Sequence, residues 1–120
     1  MFGSIAGAES VLLAFDADYR TTVAMAEAPH GTAPTLQGKD VANPMAMILS
    51  CAAVLHYAAD RADGAERASR AIYEAVLEAT AAGVRTPDLG GHAGTTSFTT
   101  EVVDRIKAKL EAWSSLGTTV

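Results

Sequence analysis

PHGTAPTLQGKDVANP, residues 29–44, is the stretch around which the rest of the chain is organised. Its prolines fix their own φ angles, and its glycines allow backbone conformations or close ligand approaches that a side chain would block. We therefore expect a stiff loop with free backbone N–H groups, not a helix or a central strand. Asn43 is suited to capping a helix and Pro44 to its first position. A loop that leads into a helix N-terminus favours anions and nucleotides, although a plain connection would use the same residues.

The sequence on either side of this loop predicts a β-hairpin followed by three helices. Before the loop, apolar runs at 11–15 and 22–26 flank a turn-forming segment, as in an antiparallel hairpin. After it, apolar periodicity predicts helices over 43–60, over 65–82 and from Thr96 or Ser97 onward. The predicted fold class is therefore α/β.

Each predicted helix has its own burial pattern. The first is apolar nearly all round, which predicts burial on most sides, and Cys51 within it is expected to be a small buried residue. The second is amphipathic, and Gly83 is expected just beyond its last turn. The buried stripe predicted for the third consists of Val102, Val103, Ile106, Leu110 and Trp113.

Composition excludes several classes of function. At 120 residues the chain is one domain or a piece of one, and its net charge of −5 argues against a nucleic-acid partner. The single cysteine excludes an internal disulfide and suits a reducing, cytoplasmic location. No signal peptide is recognised, and the longest apolar run, 45–59, is shorter than the roughly 20 residues that span a bilayer. We therefore expect a soluble protein with no membrane partner.

Two long strings carry a resemblance to a known family. HGTAPTLQGKDVANPMAMILS, residues 30–50, resembles the cofactor loop of the isocitrate/isopropylmalate dehydrogenase family, the metal-dependent β-decarboxylating dehydrogenases. RTPDLGGHAGTTSFTTEV, residues 85–102, resembles the C-terminal segment of the same family, in the same order and at a similar separation. The resemblance covers roughly residues 10–110. It implies that residues 1–120 are the C-terminal cofactor-loop segment, the closing and incomplete part of an α/β/α domain whose sheet comes mostly from earlier sequence.

The resemblance also implies a site for the adenosine half of a nicotinamide cofactor. Its residues would be His30, Gly31, Thr32, Ala33, Pro34, Thr35, Leu36 and Asn43, with Asp88 in a second loop near the same pocket. An imidazole can lie against an adenine face, and an amide can bond the adenine edge as donor and acceptor. Other roles stay open: Asn43 as a helix cap, His30 as a loop residue that bonds backbone, and Asp88 as part of a turn.

The choice of cofactor is expected to be NAD, with NADP less favoured. Thr35 stands where NAD-using relatives commonly carry an aspartate and NADP-using relatives a lysine, so it decides nothing alone. Pro87 and Gly91 stand where NADP-using relatives often carry a tyrosine and an arginine. With neither present, no cation is placed to balance the 2′-phosphate.

The catalytic parts of the family are not recognisable in this sequence. The family oxidises and decarboxylates a 2-hydroxy acid with a divalent metal, Mg²⁺ or Mn²⁺, which stabilises the developing enolate. We find no metal-binding aspartate motif, no arginine cluster for substrate carboxylates, and no tyrosine–lysine pair for proton transfer. We therefore predict no catalytic residues and no metal ligands in this chain.

The function predicted by the resemblance is the cofactor-binding part of an NAD-dependent oxidoreductase that oxidatively decarboxylates a 2-hydroxy acid such as isocitrate or 3-isopropylmalate. The alternative is a stand-alone, non-catalytic remnant that binds an adenine nucleotide or a partner subunit. A structural module without a ligand is a third possibility. The apolar central helix further predicts a homo-oligomer, or a requirement for a missing N-terminal part.

Overall fold

The computed structural model of the chain describes residues 10–28, 34–59 and 63–115. Its strands are β1, Ser10–Phe15, and β2, Thr21–Glu27, and its helices are α1, Met45–Tyr57, α2, Ala65–Ala81, and α3, Thr95–Ser115. Two single turns of 3₁₀ helix lie at Pro34–Leu36 and Pro87–Leu89. This hairpin followed by three helices confirms the predicted α/β arrangement.

The hairpin is closed by a turn built on an aspartate side chain. β1 pairs antiparallel with β2, with Leu13 opposite Ala24. The Asp16 carboxylate accepts hydrogen bonds from the backbone N–H groups of Asp18, at 2.8 Å, and Arg20, at 3.0 Å. Aspartate favours turns because its short side chain can bond the backbone two residues on. The prediction of a turn between the two apolar runs is confirmed.

The elements pack in the order in which they occur along the chain. The hairpin packs on α1, α1 packs on α2, and α2 packs on α3. The main core lies among the three helices, where Phe98 of α3 is only 1% exposed. The buried residues of this core are Met45, Ala75, Val76, Ala79, Phe98 and Val102.

The end of α2 shows why its sequence stops the helix there. Gly83 has a φ of +94°, a left-handed conformation that side chains disfavour. Its N–H donates to the Thr80 carbonyl at 3.1 Å, and the Val84 N–H donates to the Ala79 carbonyl at 3.0 Å. These two bonds form a Schellman motif, so the prediction for Gly83 is confirmed.

Two burial predictions are wrong. Cys51 is exposed, because it lies on the same side of α1 as Met47 and Val54, which are 55% and 44% exposed. Val103 is 40% exposed, because α3 turns Phe98 and Val102 toward α2 and carries Val103 about 100° away from that direction. In both helices the apolar pattern was wider than the face that a neighbouring element covers.

None of the helices in the described ranges is both long and apolar enough to cross a membrane.

The radius of gyration is 15.8 Å, against about 13 Å for a compact domain of about 100 residues. A row of elements, each packed mainly on its neighbour, accounts for this extended form.

Candidate functional site

The structure describes part of the predicted nucleotide loop. Pro34–Leu36 forms a 3₁₀ turn, and the Gln37 N–H donates to the Pro34 carbonyl at 3.3 Å. Pro34 and Thr35 are exposed, so this turn is open to a ligand. Four other predicted residues lie outside the described ranges: His30, Gly31, Thr32 and Ala33.

Asn43 joins the loop to the start of α1. Its side-chain oxygen accepts the Met45 N–H at 2.9 Å. The helix therefore begins at Met45, and Pro44 is its cap residue, not its first helical residue as predicted. The difference arises because the Asn43 oxygen bonds the N–H two residues on, as in an Asx turn, while Pro44 has no N–H to offer. The prediction that Asn43 is the N-cap is therefore wrong by one residue, although its side chain still accepts the first N–H of the helix.

The same amide reaches the second predicted loop. Asn43 Nδ2 donates to Asp88 Oδ2 at 3.0 Å, which brings together two predicted site residues 45 positions apart. An asparagine amide has two N–H donors and an oxygen with two lone pairs. These two contacts use one donor and one lone pair, so the half-buried amide keeps one of each for a ligand such as an adenine edge.

Asp88 is held in its turn by its neighbours. The hydroxyl of Thr86, a fully buried residue, donates to Asp88 Oδ1 at 2.5 Å. The backbone N–H of Leu89 donates to the Thr86 carbonyl at 3.0 Å, which closes the 3₁₀ turn. The turn role of Asp88 is therefore observed, together with the contact to Asn43.

The loop around Gly91 is closed to side chains. The Ala93 N–H donates to the Arg85 carbonyl at 2.9 Å, which draws the two ends of this loop together. A Cβ atom on Gly91 would lie 2.1 Å from the same Arg85 oxygen, which is a severe clash with backbone. An arginine at position 91 would therefore require the loop to rearrange.

Sequence reasoning missed one residue of this region, Asp40. Its carboxylate accepts the N–H of Thr96 at 2.9 Å and the hydroxyl of Thr96 at 2.8 Å. α3 is preceded by Gly94, which has no side chain to cap the helix. The lack of a local capping residue indicates that an acceptor from elsewhere in the chain caps α3. Nothing in the sequence pointed to an acceptor so far away.

Among the described residues, the ionisable groups with shifted pKa values are Glu74 of α2 and Lys109 of α3. A hydrogen bond from Arg70 is the main cause that lowers the pKa of Glu74, and Lys109 adds to it against the opposing effect of burial. A hydrogen bond to Glu78 is the main cause that raises the pKa of Lys109. The Arg70–Glu74 pair lies within α2, and the pairs of Lys109 with Glu74 and Glu78 join α2 to α3. None of them includes Asn43, Asp88 or Asp40.

Two other features bear on ligands. In residues 10–28, 34–59 and 63–115, no three histidine, cysteine, aspartate or glutamate side chains form a group that could hold a metal ion. The donor set described here thus does not fit Mg²⁺ or Mn²⁺.

A shallow cavity of about 300 Å³ lies between β2 and α1, lined by Thr22, Val23, Ala24, Val54, Tyr57 and Ala58. It includes none of the predicted site residues.

Comparison with known proteins gives one consistent family. The family model described as isocitrate/isopropylmalate dehydrogenase matches residues 1–106. The isocitrate/homoisocitrate dehydrogenase of Thermus thermophilus is 46% identical over 87 residues, which are 72% of this chain and 25% of the relative. The 3-isopropylmalate dehydrogenase of Pseudoalteromonas translucida is 48% identical over 80 residues, which are 67% of this chain and 21% of the relative.

A fungal relative agrees with the bacterial ones. The 3-isopropylmalate dehydrogenase B of Aspergillus niger is 41% identical over 83 residues, 69% of this chain and 21% of the relative. The chain thus spans about a quarter of the length of the curated relatives it matches. Because the family model covers most of the chain, and three dehydrogenases match it at more than 40% identity, this chain belongs to the isocitrate/isopropylmalate dehydrogenase family.

Proposed function

We propose that this chain is the cofactor-binding C-terminal part of an NAD-dependent oxidoreductase that oxidatively decarboxylates a 2-hydroxy acid such as isocitrate or 3-isopropylmalate. The observation that carries the proposal is the contact between Asn43 and Asp88, since it joins the two loops for which the resemblance implies a nucleotide. The names of the matched relatives support the type of reaction and substrate.

Within the proposal, the chain binds and orients the adenosine half of the dinucleotide. By the family resemblance, we assign the adenosine contacts to the backbone of 30–36 and to the imidazole of His30, and Asn43 supplies its remaining N–H and lone pair to the adenine edge. The nicotinamide supplies the chemistry by accepting a hydride. The substrate carboxylates, the divalent metal and the transferred proton are handled by groups other than the residues described here.

NAD is the proposed cofactor, in preference to NADP. A 2′-phosphate in a protein site needs a paired cation. Positions 35, 87 and 91 are threonine, proline and glycine, and the clash of a Cβ with the Arg85 carbonyl excludes a side chain at 91 without rearrangement. We expect NAD to bind this chain more tightly than NADP, although weakly, because the chain supplies only part of the pocket.

The test is a titration of the chain with each dinucleotide by calorimetry and ¹⁵N NMR. Tighter binding of NADP would contradict the choice of cofactor. Dehydrogenase assays with isocitrate, 3-isopropylmalate or malate, each with Mg²⁺ or Mn²⁺, are expected to show no NADH formation by this chain alone. Metal-dependent turnover above a blank without protein would show that the catalytic groups are present after all.

A pair of variants separates the two roles of Asn43. Asn43→Asp keeps the oxygen that accepts the Met45 N–H but loses both amide donors and faces Asp88 with a like charge. The double variant Asn43→Asp/Asp88→Asn restores a donor–acceptor contact between the loops in reverse. We expect the double variant to melt like the wild type and still bind NAD about tenfold more weakly, since a hydrogen bond to the base is lost. Unchanged affinity would reduce Asn43 to a helix cap.

A second candidate function is a non-catalytic chain that binds an adenine nucleotide or a partner subunit. The observation in its favour is the exposed apolar surface on the hairpin, where Leu12 and Val23 are each 60% exposed. Nucleotide binding without turnover, even after the N-terminal three quarters of a relative is added in trans, would favour it. We also propose that the chain forms a homo-oligomer and that it is located in the cytoplasm.

A further inference from the structure

We propose that Asp40 is a positioning residue, which holds the described part of the nucleotide loop, residues 34–43, against the start of α3. The inference rests on the proposed function, because it assigns Asp40 a role in nucleotide affinity without direct contact. It is carried by four hydrogen bonds and one close approach between segments that are more than fifty residues apart.

The backbone of Asp40 is held in a costly conformation. Its φ is +56°, in the left-handed region that residues with a side chain seldom occupy. Aspartate and asparagine are among the side chains that tolerate it best. Such a conformation persists only where the surroundings fix it. The contacts of Asp40 show what fixes it here.

Asp40 satisfies the first two N–H groups of α3. Its backbone carbonyl accepts the Thr95 N–H at 2.9 Å, and its carboxylate accepts the Thr96 N–H at 2.9 Å. These N–H groups have no partner within the helix, and a carboxylate at a helix N-terminus is further favoured by the helix dipole. The Thr96 hydroxyl also donates to the carboxylate, at 2.8 Å. In return, the Thr95 hydroxyl donates to the Ala42 carbonyl.

Gly94 allows the two segments to come this close. A Cβ atom on Gly94 would lie 2.5 Å from the free carboxylate oxygen of Asp40 and 2.8 Å from its backbone carbonyl. A residue larger than glycine would therefore push Asp40 away from α3. The junction, by which we mean the contact of residues 40–42 with 94–96, thus depends on the acceptor atoms of Asp40 and on the absence of a side chain at Gly94.

The junction lies between the two parts of the proposed site. Asp40 is four residues beyond the Pro34–Leu36 turn and three residues before Asn43. Asn43 in turn contacts Asp88, so the segment 40–43 is anchored at both ends to the loop and helix of residues 86–96. Loss of the Asp40 anchor should let Asn43 and the turn shift together, and so weaken binding while every group that touches the nucleotide remains present.

The test uses variants that leave the nucleotide contacts intact. Asp40→Gly keeps the left-handed backbone but removes the carboxylate, and Asp40→Asn keeps an acceptor oxygen. Gly94→Ala disrupts the same junction, because its Cβ would clash with Asp40. Asp104→Asn, on the exposed surface of α3, is the control for loss of a charge. We expect about tenfold weaker NAD binding for Asp40→Gly and Gly94→Ala, and recovery to within about threefold for Asp40→Asn.

A second readout needs no nucleotide. The wild-type chain has one asparagine and one glutamine, so its ¹⁵N spectrum contains only two side-chain amide NH₂ pairs, from Asn43 and Gln37, and Asp104→Asn adds one new pair. We expect the Asn43 pair to shift and to exchange faster in Asp40→Gly and Gly94→Ala, and to stay unchanged in Asp104→Asn. All measurements are made well below each variant's melting midpoint, so that unfolding does not contribute.

The outcomes separate this inference from the proposed function. If the wild type binds no dinucleotide, the proposed function fails, and the Asn43 signal alone still decides whether Asp40 positions that residue. If NAD binds equally to folded wild type and Asp40→Gly, or if the Asn43 signal does not respond, Asp40 is only a cap for α3 and the inference is overturned.

Discussion

The half of the molecule formed by α2 and α3 covers most of its large apolar side chains, whereas the half formed by the hairpin and α1 leaves many of its own exposed. Phe98 and Val102 of α3 are each 1% exposed, and the surface between α2 and α3 is closed by ion pairs of Lys109 with Glu74 and Glu78. On the other half, Leu12 is 60% exposed, and Phe15 and Met47 are each 55% exposed. The half formed by α2 and α3 is packed like the core of a domain. The half formed by the hairpin and α1 exposes an apolar surface of the kind found at interfaces.

The physical cause of the difference lies in the element at each end of the row. α3 packs only on α2 and the hairpin only on α1 among the described elements, but a helix makes its backbone hydrogen bonds internally. A two-stranded sheet has two open edges and is marginal on its own. The comparison therefore predicts that folding stability comes from one half and association from the other.

The largest expected effect is a core deletion in the covered half. Phe98→Ala removes an almost fully buried aromatic side chain and should cost about 3–5 kcal/mol in the free energy of unfolding, measured by urea denaturation. Leu77→Ala is the control, because Leu77 is 69% exposed on α2 and its loss should change stability by about 0.5 kcal/mol or less. Equal losses for the two variants would contradict the assignment of the core.

The second prediction concerns association through the uncovered half. We expect the wild type to form dimers or larger species, because burial of a large aliphatic side chain contributes about 1.5–3 kcal/mol. The double variant Leu12→Thr/Val23→Thr keeps strand propensity and should shift the mass found by size-exclusion chromatography with light scattering toward the monomer. Leu77→Gln, an apolar-to-polar change on the other half, should not.

A wild-type chain that stays monomeric, with a sharp melt whose midpoint does not depend on concentration, would contradict this second prediction. It would also mean that the hairpin face is stable in water without a partner, and would favour the stand-alone alternative for the function.

A smaller effect is expected at the boundary between the two halves. The Ser69 hydroxyl of α2 donates to the Ala52 carbonyl of α1 at 2.7 Å, and both residues are buried. Ser69→Ala removes this bond without leaving an unsatisfied donor, so it should cost about 1 kcal/mol. The matched control is Ser114→Ala, at an exposed position of α3. A cost near zero in thermal melts of Ser69→Ala would show that this hydrogen bond does not help to hold the two halves together.

The smallest expected effect is the pH dependence of the ion pairs of Glu74 and Lys109, one of which, Arg70–Glu74, lies within α2 while the others join α2 to α3. The pKa of Glu74 is lowered from its usual 4.5, so its contribution is present above that pH and is lost as the pH falls through the lowered value. The pKa of Lys109 is raised from its usual 10.5, so its contribution is present below that pH and is lost as the pH rises through the raised value.

Variants make this pH dependence measurable. The stability difference between wild type and Glu74→Gln should be about 0.5 kcal/mol or less at pH 7, because solvent screens a side chain that is 38% exposed. It should vanish in acid, below the lowered pKa. Glu111→Gln, at an exposed position of α3, is the control for the loss of a carboxylate. A Glu74→Gln difference that persists in acid would mean that lost packing, not lost charge, is responsible.

Sequence alone predicted the elements because each rests on local chemistry. Apolar runs on either side of Asp16 and Asp18 indicated the hairpin, and the 3.6-residue period together with Gly83 predicted α2 to within one residue. Local rules could not say which side of an apolar helix is covered. That is why the burial of Cys51 and of Val103 was predicted wrongly.

The site was predictable only in part, for a different reason. Asn43 and Asp88 were singled out from separate strings, and the structure brings them to 3.0 Å. Asp40 was not, because its partner Thr96 is 56 positions away and no periodicity relates the two. Contacts of that length depend on the packing of α1, α2 and α3, which a reading of neighbouring residues does not include.

The serial packing of the elements has a consequence for the order of folding. Hairpin, α1, α2 and α3 each meet their neighbour in the chain, and contacts between sequence neighbours form early because they close short loops. The junction of Asp40 with Thr96 closes a loop of 56 residues and requires all three helices to be in place. We therefore expect the amides of Thr95 and Thr96 to gain protection after those of α2 in pulse-labelled hydrogen exchange. The nucleotide site would then be the last part of the chain to assemble.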